Sequence, residues 1–266
     1  MTGAILILID GLQVEALKKA DTPFIDNLMH TGSWTLEAKT VVPSITLPAH
    51  FSIFHSVRPI DHNVLTNTGN PLASTSVTGF FQYVKSYGKK TAAFYSWEPL
   101  RNLAPPGALD FSYMKKVTHE DACDHIIATA AMDHIVNDKP DFCFIYLEKT
   151  DSTGHAAGFG SEKYLKAIEK ADKAVGNILT CLQESGLMNS YHILLMSDHG
   201  GFGFHHEGNE PEVMTVPWIL NGPMIKNNHQ IQKYVRIIDA APTLSKVMGI
   251  PAHYSWQGSF PEEALL

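Results

Sequence analysis

The residues of this sequence that could do chemistry are carboxylates and histidines that follow short apolar runs. Asp10 follows the first such run. Asp151 and His155 stand four residues apart after another, and Asp198 and His199 are neighbours after a third. Carboxylate oxygens and imidazole nitrogens without thiolates are typical ligands of zinc-type ions. Each segment alone is as readily a turn or a helix cap, but three of them on one sheet favour a metal centre.

The local backbone decides whether these neighbours can share an ion. Adjacent residues on a strand point to opposite faces, so the Asp198–His199 pair can bind one ion only where the strand has broken into a turn. Gly200 and Gly201 can provide that break, since glycine adopts backbone conformations that other residues avoid. The Asp151–His155 segment also contains a glycine, and we expect its two end residues to converge from a tight turn.

A fourth segment offers a hydroxyl group. Residues 43–50 read PSITLPAH, in which two prolines stiffen a stretch that carries serine and threonine. An apolar segment predicted to be helical, 51–55, follows. The start of a helix presents free N–H groups and the positive end of its dipole, which suits a phosphate. A hydroxyl there is most often a helix cap, and as a nucleophile it needs activation, which a metal can supply.

Strand-like and helix-like segments alternate along the chain, and this order predicts how the sheet positions these residues. Strands are predicted at 4–9, 91–96, 142–147, 193–197 and 216–220. Helices are predicted from Pro23 to a stop at Gly32, at 51–55, at 77–87, from the cap Thr118 toward Val136, at 161–184 and at 239–248. The alternation favours an α/β fold, a doubly wound, mostly parallel sheet with helices on both faces. Sites in such sheets form at the carboxyl ends of the strands.

The composition restricts the class of protein. With 44% hydrophobic and 18% charged residues, the chain can bury a large core and is not a disordered or low-complexity protein. It has no repeat or linker, so we expect a single domain over residues 1–266 with little or no cap domain. Lys plus Arg number 20 against 27 Asp plus Glu, a net charge of −7, which argues against stable nucleic-acid binding. Phosphate chemistry stays possible, because bound metal ions can supply positive charge.

The cysteines and the first apolar run suggest a location. Cys123, Cys143 and Cys181 are an odd number without paired spacing, which favours reduced thiols in a cytoplasmic protein. The run 4–9 is too short to span a membrane and lacks the features of a signal peptide. We therefore expect a cytoplasmic protein that binds no membrane and acts on a small molecule.

Several strings in the sequence together resemble one known family. They are ILILIDG, VVPSITLPAHFSIFHSV, DHNVLTN, DSTGHAAG, SDHGG and PEVMTVPW. They resemble the alkaline phosphatase superfamily, and within it the type I phosphodiesterase and nucleotide pyrophosphatase family. The resemblance extends from about residue 4 to DAAPTLSKVMGIP near the end. It implies an alkaline phosphatase-like core, two zinc-type ions, and a threonine or serine nucleophile.

The resemblance also implies two sets of metal ligands. One ion would be held by Asp10, Asp198, His199 and the nucleophile Thr46, and the other by Asp151, His155 and a late histidine. Counting between SDHGG and PEVMTVPW places His206 at that last position, with His205 as the alternative. Glu207 stands where the family usually has glycine. The nitrogen and oxygen donors suit zinc, whereas manganese or magnesium would favour more oxygen ligands.

Other residues match the family without being ligands. Asn67 matches an asparagine that donates a hydrogen bond to a phosphate oxygen in phosphodiesterase members, although a turn residue beside Gly69 is an equally good interpretation. His50 and His62 lie inside matched strings, and we expect them to have supporting or structural roles.

The resemblance implies a metal-dependent hydrolase of a small-molecule phosphoester, most simply a phosphodiesterase or nucleotide pyrophosphatase in which Thr46 attacks phosphorus. A phosphomonoesterase must neutralise one more charge, and nothing marks Arg58, the nearest basic residue, as a phosphate clamp. A phosphonate hydrolase would use the same scaffold. A sulfatase would require a convertible Cys or Ser and an arginine where this chain has TLPAH. A metal-binding regulator without turnover is the alternative from a different class.

Overall fold

A mixed β-sheet forms the centre of the protein. The computed structural model describes residues 2–74 and 76–266, and within them eight strands make one sheet in the order β4-β3-β5-β1-β6-β7-β2-β8. The strands are β1 (Gly3–Ile9), β2 (Ser33–Lys39), β3 (Thr91–Tyr95), β4 (Phe111–Met114), β5 (Phe142–Leu147), β6 (Tyr191–Met196), β7 (Thr215–Asn221) and β8 (His229–Gln230).

Helices connect these strands. The α-helices are α1 (Val14–Leu17), α2 (Pro23–His30), α3 (Thr46–His55), α4 (Pro59–His62), α5 (Phe80–Ser86), α6 (Cys123–Asp138), α7 (Lys149–Ala157), α8 (Glu162–Glu184), α9 (Pro211–Met214) and α10 (Ala240–Val247). Short 3₁₀ turns lie at Glu98–Leu103, Met188–Ser190, Ile237–Asp239 and Glu262–Ala264. Among the described residues, no helix is both long and apolar enough to cross a lipid bilayer.

The predicted α/β architecture is confirmed, with one part of the sheet that the sequence pattern missed. The five strands from β4 to β6 are parallel, but β7 runs antiparallel to both β6 and β2. Strands β2, β4 and β8 were not predicted. β4 is largely exposed and β8 has two residues, so neither has an apolar run, and β2 alternates buried and half-exposed positions around a bulge.

The core lies on both faces of the sheet. Successive side chains of a strand point to opposite faces, so Ala4, Leu6 and Leu8 pack toward α3, α5 and α10, while the alternate isoleucines of β1 pack toward α2, α6 and α8. Every side chain of β1 is buried, as expected for a central parallel strand. This burial holds the end of β1, and therefore Asp10, in a rigid position. Within the described residues, no separate cap domain stands apart from the sheet.

Several predicted helix boundaries were wrong. Helix α6 begins at Cys123, because the hydroxyl of the expected cap Thr118 donates instead to Glu148 across the sheet edge (3.1 Å). Helix α5 is shorter than the predicted 77–87. Helix α3 starts earlier than 51, at Thr46, because the whole segment is buried and the apolar packing extends to the second proline.

Candidate metal centre

The three carboxylate segments meet at one edge of the sheet. β1 lies between β5 and β6, and all three strands are parallel, so their carboxyl ends are neighbours. Asp10 directly follows β1, Asp151 lies on α7 just after β5, and Asp198 follows β6. The sheet topology therefore brings together residues that are separated by more than 180 positions in the chain.

The first group consists of Asp151, His155 and His206, which we call the Asp151 site. One ligand atom from each lies within 4.8 Å of the others. The Nε2 atoms of His155 and His206 are 3.4 and 3.7 Å from the carboxylate oxygens of Asp151. The expected tight turn is wrong here, because residues 149–157 form helix α7. Asp151 and His155 converge because positions four apart lie on one face of a helix.

The second group consists of Asp10, Asp198, His199 and Thr46, which we call the Asp10 site. The Nε2 atom of His199 is 3.4 Å from Asp10 Oδ1, 3.3 Å from Asp198 Oδ2 and 3.3 Å from the hydroxyl oxygen of Thr46. Ligand atoms of Asp10, His199 and Asp151 also lie within 4.8 Å of one another. The two sites are therefore side by side, with Asp151 between them.

Buried carboxylate oxygens show that the centre fits cations. Asp10 Oδ1, Asp151 Oδ1 and Asp198 Oδ2 are buried and have no hydrogen-bond partner. Burial and the repulsion of the neighbouring carboxylates raise the pKa of Asp10 and of Asp151 well above the usual range. Leaving charged oxygens buried and unpaired costs several kcal/mol or more, on the order of a typical desolvation penalty. Divalent ions at the two sites would remove that cost.

The hydrogen bonds of the candidate histidines leave each imidazole with one free nitrogen for a metal ion, and burial keeps two of the three neutral, as a metal ion requires. Burial lowers the pKa of His199 and of His206 to about 4. In each of the three candidate imidazoles, the Nδ1 hydrogen is donated to a backbone carbonyl, so Nε2 is the free ligand atom: His155 donates to Phe204 (2.8 Å), His199 to Gly200 (2.9 Å) and His206 to Ser44 (2.8 Å). Such hydrogen bonds set the tautomer and the ring orientation of metal-binding histidines.

The structure separates the two candidate late histidines. His206 is 3% exposed and its ring stacks on the ring of His199, with centroids 3.7 Å apart. His205 is exposed, and its backbone pairs with Phe202 at a turn. Of these two adjacent histidines, His206 is therefore the one that reaches the Asp151 site. Glu207 lies beside it, and its carboxylate accepts from the His206 backbone N–H (3.4 Å).

Thr46 occupies the first position of α3, at the inner end of the centre. It is 5% exposed and begins the helix, where Pro48 has no N–H to offer and the Ala49 N–H donates to the Ile45 carbonyl (2.9 Å). The N–H of Leu47 donates to the side-chain oxygen of Asn67 (2.8 Å). This bond leaves the amide nitrogen of Asn67 as its remaining donor. His50 donates from Nδ1 to the Thr46 carbonyl (2.7 Å), and this hydrogen bond stabilises the first turn of α3.

The two glycines after His199 are required for a different reason from the one expected. Neither Gly200 nor Gly201 has a positive φ. A Cβ at Gly200 would overlap the carbonyl oxygen of Glu212, and a Cβ at Gly201 would overlap the ring of Phe159. These glycines therefore permit close packing against α9 and against the segment after α7, rather than an unusual backbone angle.

Two supporting residues were not identified from the sequence. The Tyr146 hydroxyl donates to Asp10 Oδ2, and the Thr150 hydroxyl donates to the Asp10 carbonyl (2.7 Å). Tyr146 lies in the middle of an apolar strand, where an aromatic residue normally indicates core packing. Arg58 is at the surface, where it pairs with Asp61 (3.1 Å).

Comparisons of the sequence with known proteins find relatives of this chain. Residues 4–204 match the model of the family described as type I phosphodiesterase / nucleotide pyrophosphatase. Ectonucleotide pyrophosphatase/phosphodiesterase family member 1 of Mus musculus is 28% identical over 220 residues, which cover 74% of this chain and 24% of that protein. Venom phosphodiesterase 2 of Crotalus adamanteus is 26% identical, with 74% and 26% covered. The chain thus matches about a quarter of the length of these curated relatives.

Solved structures show the same fold. Murine ectonucleotide pyrophosphatase/phosphodiesterase 5, in an inactive form complexed with AMP, superposes with a TM-score of 0.85 at 14% identity and covers 100% of both chains. A 2-O GAG sulfatase superposes with a TM-score of 0.81 at 14% identity, covering 99% of this chain and 74% of the other. At this identity the likeness concerns the fold.

The relatives also correct one expectation. Their names describe ectoenzymes and venom enzymes, which contradicts the cytoplasmic assignment that was based on the cysteine count. An odd number of cysteines therefore says nothing about the location of this protein. The expected class of enzyme is confirmed at the level of the family. Because the family model matches three quarters of its length, this chain belongs to the type I phosphodiesterase / nucleotide pyrophosphatase family.

Proposed function

We propose that the protein hydrolyses a phosphodiester or pyrophosphate bond of a small molecule, with Thr46 as the nucleophile and two divalent ions as cofactors. The observation that carries this proposal is the group of buried, unpaired carboxylate oxygens beside the hydroxyl at the start of α3. A structural relative supports it, since murine ectonucleotide pyrophosphatase/phosphodiesterase 5 is inactive as a threonine-to-alanine variant and binds AMP.

Zinc fits the donor set best. The Asp151 site offers two imidazoles and one carboxylate, and the Asp10 site offers one imidazole, two carboxylates and a hydroxyl. Mixed nitrogen and oxygen ligands of this kind suit zinc, whereas magnesium and manganese prefer oxygen. When bound, two such ions would stabilise the charge on the attacking and leaving oxygens of an in-line displacement.

The residues of this chain position the phosphate and the nucleophile. Thr46 Oγ1 gives its proton to water and attacks phosphorus, while the bond to the leaving oxygen breaks on the opposite side, toward the Asp151 site. The leaving oxygen departs with the bonding electron pair and takes up a proton from water. The backbone N–H of Thr46, at the start of α3, and the amide nitrogen of Asn67 hold the remaining charged oxygen, since the Leu47 N–H is already donated to Asn67. Water then attacks the phosphothreonine from the side of the departed group, which releases the phosphate monoester and restores the Thr46 hydroxyl.

The surroundings favour a diester over a monoester. A dianionic monoester brings one more negative charge, and it would meet the neutral Asn67 amide in a chain of net charge −7, with Arg58 paired to Asp61 elsewhere. We expect kcat/KM for bis(p-nitrophenyl) phosphate to exceed that for p-nitrophenyl phosphate by about ten-fold, or roughly 1.4 kcal/mol. Both substrates should be compared at equal pH and zinc concentration. A clear monoester preference would contradict the diesterase assignment.

Substitution of Thr46 tests the nucleophile. Thr46→Ala should keep the fold and bind close to two zinc ions per chain, but lose diester hydrolysis by several orders of magnitude. Thr46→Ser keeps the hydroxyl and should retain part of the activity. Zinc content by elemental analysis and the rate with bis(p-nitrophenyl) phosphate measure the two properties separately. An alanine variant with near wild-type turnover would replace the covalent route by direct attack of water. Zinc-loaded wild-type protein without turnover of any ester would indicate a metal-binding regulator.

A further inference from the structure

A small hairpin carries two exposed phenylalanines at the rim of the metal centre. Residues 202–205, which we call the rim hairpin, are closed by backbone hydrogen bonds from Phe202 N to His205 O (2.9 Å) and from His205 N to Phe202 O (3.1 Å). Phe202 is 48% exposed and Phe204 is 62% exposed. Single exposed aromatic residues are common on protein surfaces, so the position of these two decides whether they have a role.

Phe204 is placed beside a candidate ligand. Its carbonyl accepts the Nδ1 hydrogen of His155 (2.8 Å), so its backbone helps to orient that imidazole. Its ring lies over the end of α7, where a Cβ at Gly158 would be 3.7 Å away from it. Gly158 is three residues beyond His155, which is about one helical turn, or roughly 5 Å, along the axis. The ring therefore lies against the end of α7, on the side of His155 whose Nδ1 bonds to the hairpin.

The proposed reaction directs one part of the substrate toward this ring. Thr46 is at the inner end of the centre, in contact with His199. An in-line displacement places the leaving oxygen on the far side of phosphorus from the nucleophile, which is the side of the Asp151 site. His155 is the exposed member of that site, with 39% of its side chain accessible. A group attached to the leaving oxygen that extends over the exposed His155 reaches the side on which Phe204 lies.

We propose that Phe204 is a specificity-determining residue that contacts the leaving group, and that it favours phosphodiesters whose leaving group is aromatic or otherwise apolar. This inference rests on the proposed function. The exposed ring offers one flat apolar surface, and the leaving group would cover it while the ester is bound and during its cleavage. Contact between two aromatic rings stabilises the bound state beyond the free energy gained by burying their surfaces. The charged leaving oxygen remains at the ligands, and only the group behind it reaches the ring.

Two matched pairs of esters test this assignment. In the first pair, methyl 4-nitrophenyl phosphate and methyl 4-nitro-1-naphthyl phosphate differ only in the leaving group. In the second, methyl 4-nitrophenyl phosphate and phenyl 4-nitrophenyl phosphate differ only in the group that is retained. For Phe204→Ala, kcat/KM for the nitronaphthyl ester divided by kcat/KM for the nitrophenyl ester of the first pair should fall by about three- to ten-fold relative to wild type. A factor of this size corresponds to the free energy of one lost aromatic contact. The ratio within the second pair should not change.

The control variants separate this contact from damage to the site. A displaced His155 would lower all rates together and leave both ratios unchanged, which would contradict the proposal. Phe202→Ala, on the same hairpin, should keep the wild-type ratios, since its ring lies near His205 (centroids 6.4 Å apart). Phe204→Tyr keeps an aromatic ring and should therefore keep the wild-type preference for the nitronaphthyl leaving group.

A change in rate ratio that is confined to the second pair, which varies the retained group, would place Phe204 on the other side of the phosphate and contradict the proposal. A wild-type protein that hydrolyses none of these esters would refute the proposed function itself, whereas unchanged ratios in an active Phe204→Ala variant refute only this inference.

Discussion

At the scale of single residues, the orientation of each carboxylate decides what the centre can bind. Asp10 has one oxygen that accepts from the Tyr146 hydroxyl and one that is buried without a partner. The hydrogen bond therefore turns the free oxygen toward His199, 3.4 Å away. Tyr146 cannot become an alternative ligand easily, since burial and the nearby Asp10 raise its pKa well above the usual range. It acts as a neutral donor that holds Asp10 in place.

Removal of the Tyr146 hydroxyl should weaken metal binding. In Tyr146→Phe the ring still fills the core, but Asp10 can rotate and has two unpaired buried oxygens. We expect a loss of about 10–100-fold in zinc affinity, as is usual when a supporting hydrogen bond to a ligand is removed. Competition with a chromogenic chelator measures the affinity directly.

Tyr191→Phe is the matched control for that measurement. The Tyr191 hydroxyl donates to the carbonyl of Pro140 (2.9 Å), at the opposite end of the sheet from Asp10. This variant loses a buried tyrosine hydrogen bond without affecting the centre, so its zinc affinity should match that of the wild type. Equal affinities for all three proteins would show that Asp10 is held by other contacts.

At the scale of elements, the centre depends on how closely the segment after β6 approaches α7. Gly154, on α7, and Gly201, after β6, both face the ring of Phe159, and a Cβ at either position would overlap that ring. The ring thus fills the space between the two elements that carry His155 and His199. The Gly201 carbonyl also accepts from the Gln13 side chain (2.8 Å), which connects this segment to the end of β1. The spacing of the ligands is therefore set by packing between elements.

Gly201→Ala should disturb this packing. The added methyl group displaces the Phe159 ring, and overpacking of this kind costs about 1–3 kcal/mol of the free energy of unfolding. Zinc affinity should fall as well, since α7 moves away from the Asp10 site. Urea denaturation of the metal-free protein and chelator competition measure the two effects.

A second substitution can restore the packing. Phe159→Leu makes space for the new methyl group, so the double variant should be more stable than Gly201→Ala alone, as expected for residues in contact. Gly69→Ala is the control, because a Cβ at Gly69 has no atom within 4 Å, and its stability should be close to wild type. A double variant that is no more stable than Gly201→Ala would mean that Phe159 is not the obstacle.

At the scale of the whole molecule, the fold buries histidines that are not part of the centre. His55 and His62 lie on α3 and α4, and burial is the largest cause that lowers the pKa of each to about 4. The ordinary pKa of a histidine in an unfolded chain is near 6.5, so the unfolded state binds more protons than the folded state between about pH 4 and pH 6.5. This contribution to stability is fully present above about pH 6.5 and is lost as the pH falls through 4.

Substitution of His55 should reduce this pH dependence. The ring of His55 stacks on Phe51 with centroids 5.1 Å apart, so His55→Phe keeps an aromatic ring at the same place. Between pH 6 and 4.5, the free energy of unfolding should fall less steeply than in wild type, by up to about 1.4 kcal/mol per pH unit, which is the value for one proton. The exposed His119, replaced by glutamine, serves as control and should leave the slope unchanged. Equal slopes for wild type and His55→Phe would show that folding does not lower the pKa of His55, so that this residue binds the same number of protons in both states.

What the sequence by itself determined were the features with local causes. The continuous apolar run 4–9 predicts a central buried strand, and the spacing of apolar residues in 161–184 predicts a long amphipathic helix. The alternation of strand-like and helix-like segments predicts the sheet that brings Asp10, Asp151 and Asp198 to one edge. The matched strings indicated the family and the candidate residues, because those residues are close to one another in short segments.

Only the tertiary structure decided the features that depend on contacts between distant segments. His206 rather than His205 faces Asp151, because the rim hairpin turns one of two adjacent side chains outward. Tyr146 supports Asp10 across neighbouring strands, and Gly201 is needed for a ring that lies 42 positions earlier in the chain. Such contacts leave no periodic or compositional signal, since either partner alone has the composition of an ordinary core. Their cause is the packing of side chains between elements, which exists only once the sheet has formed.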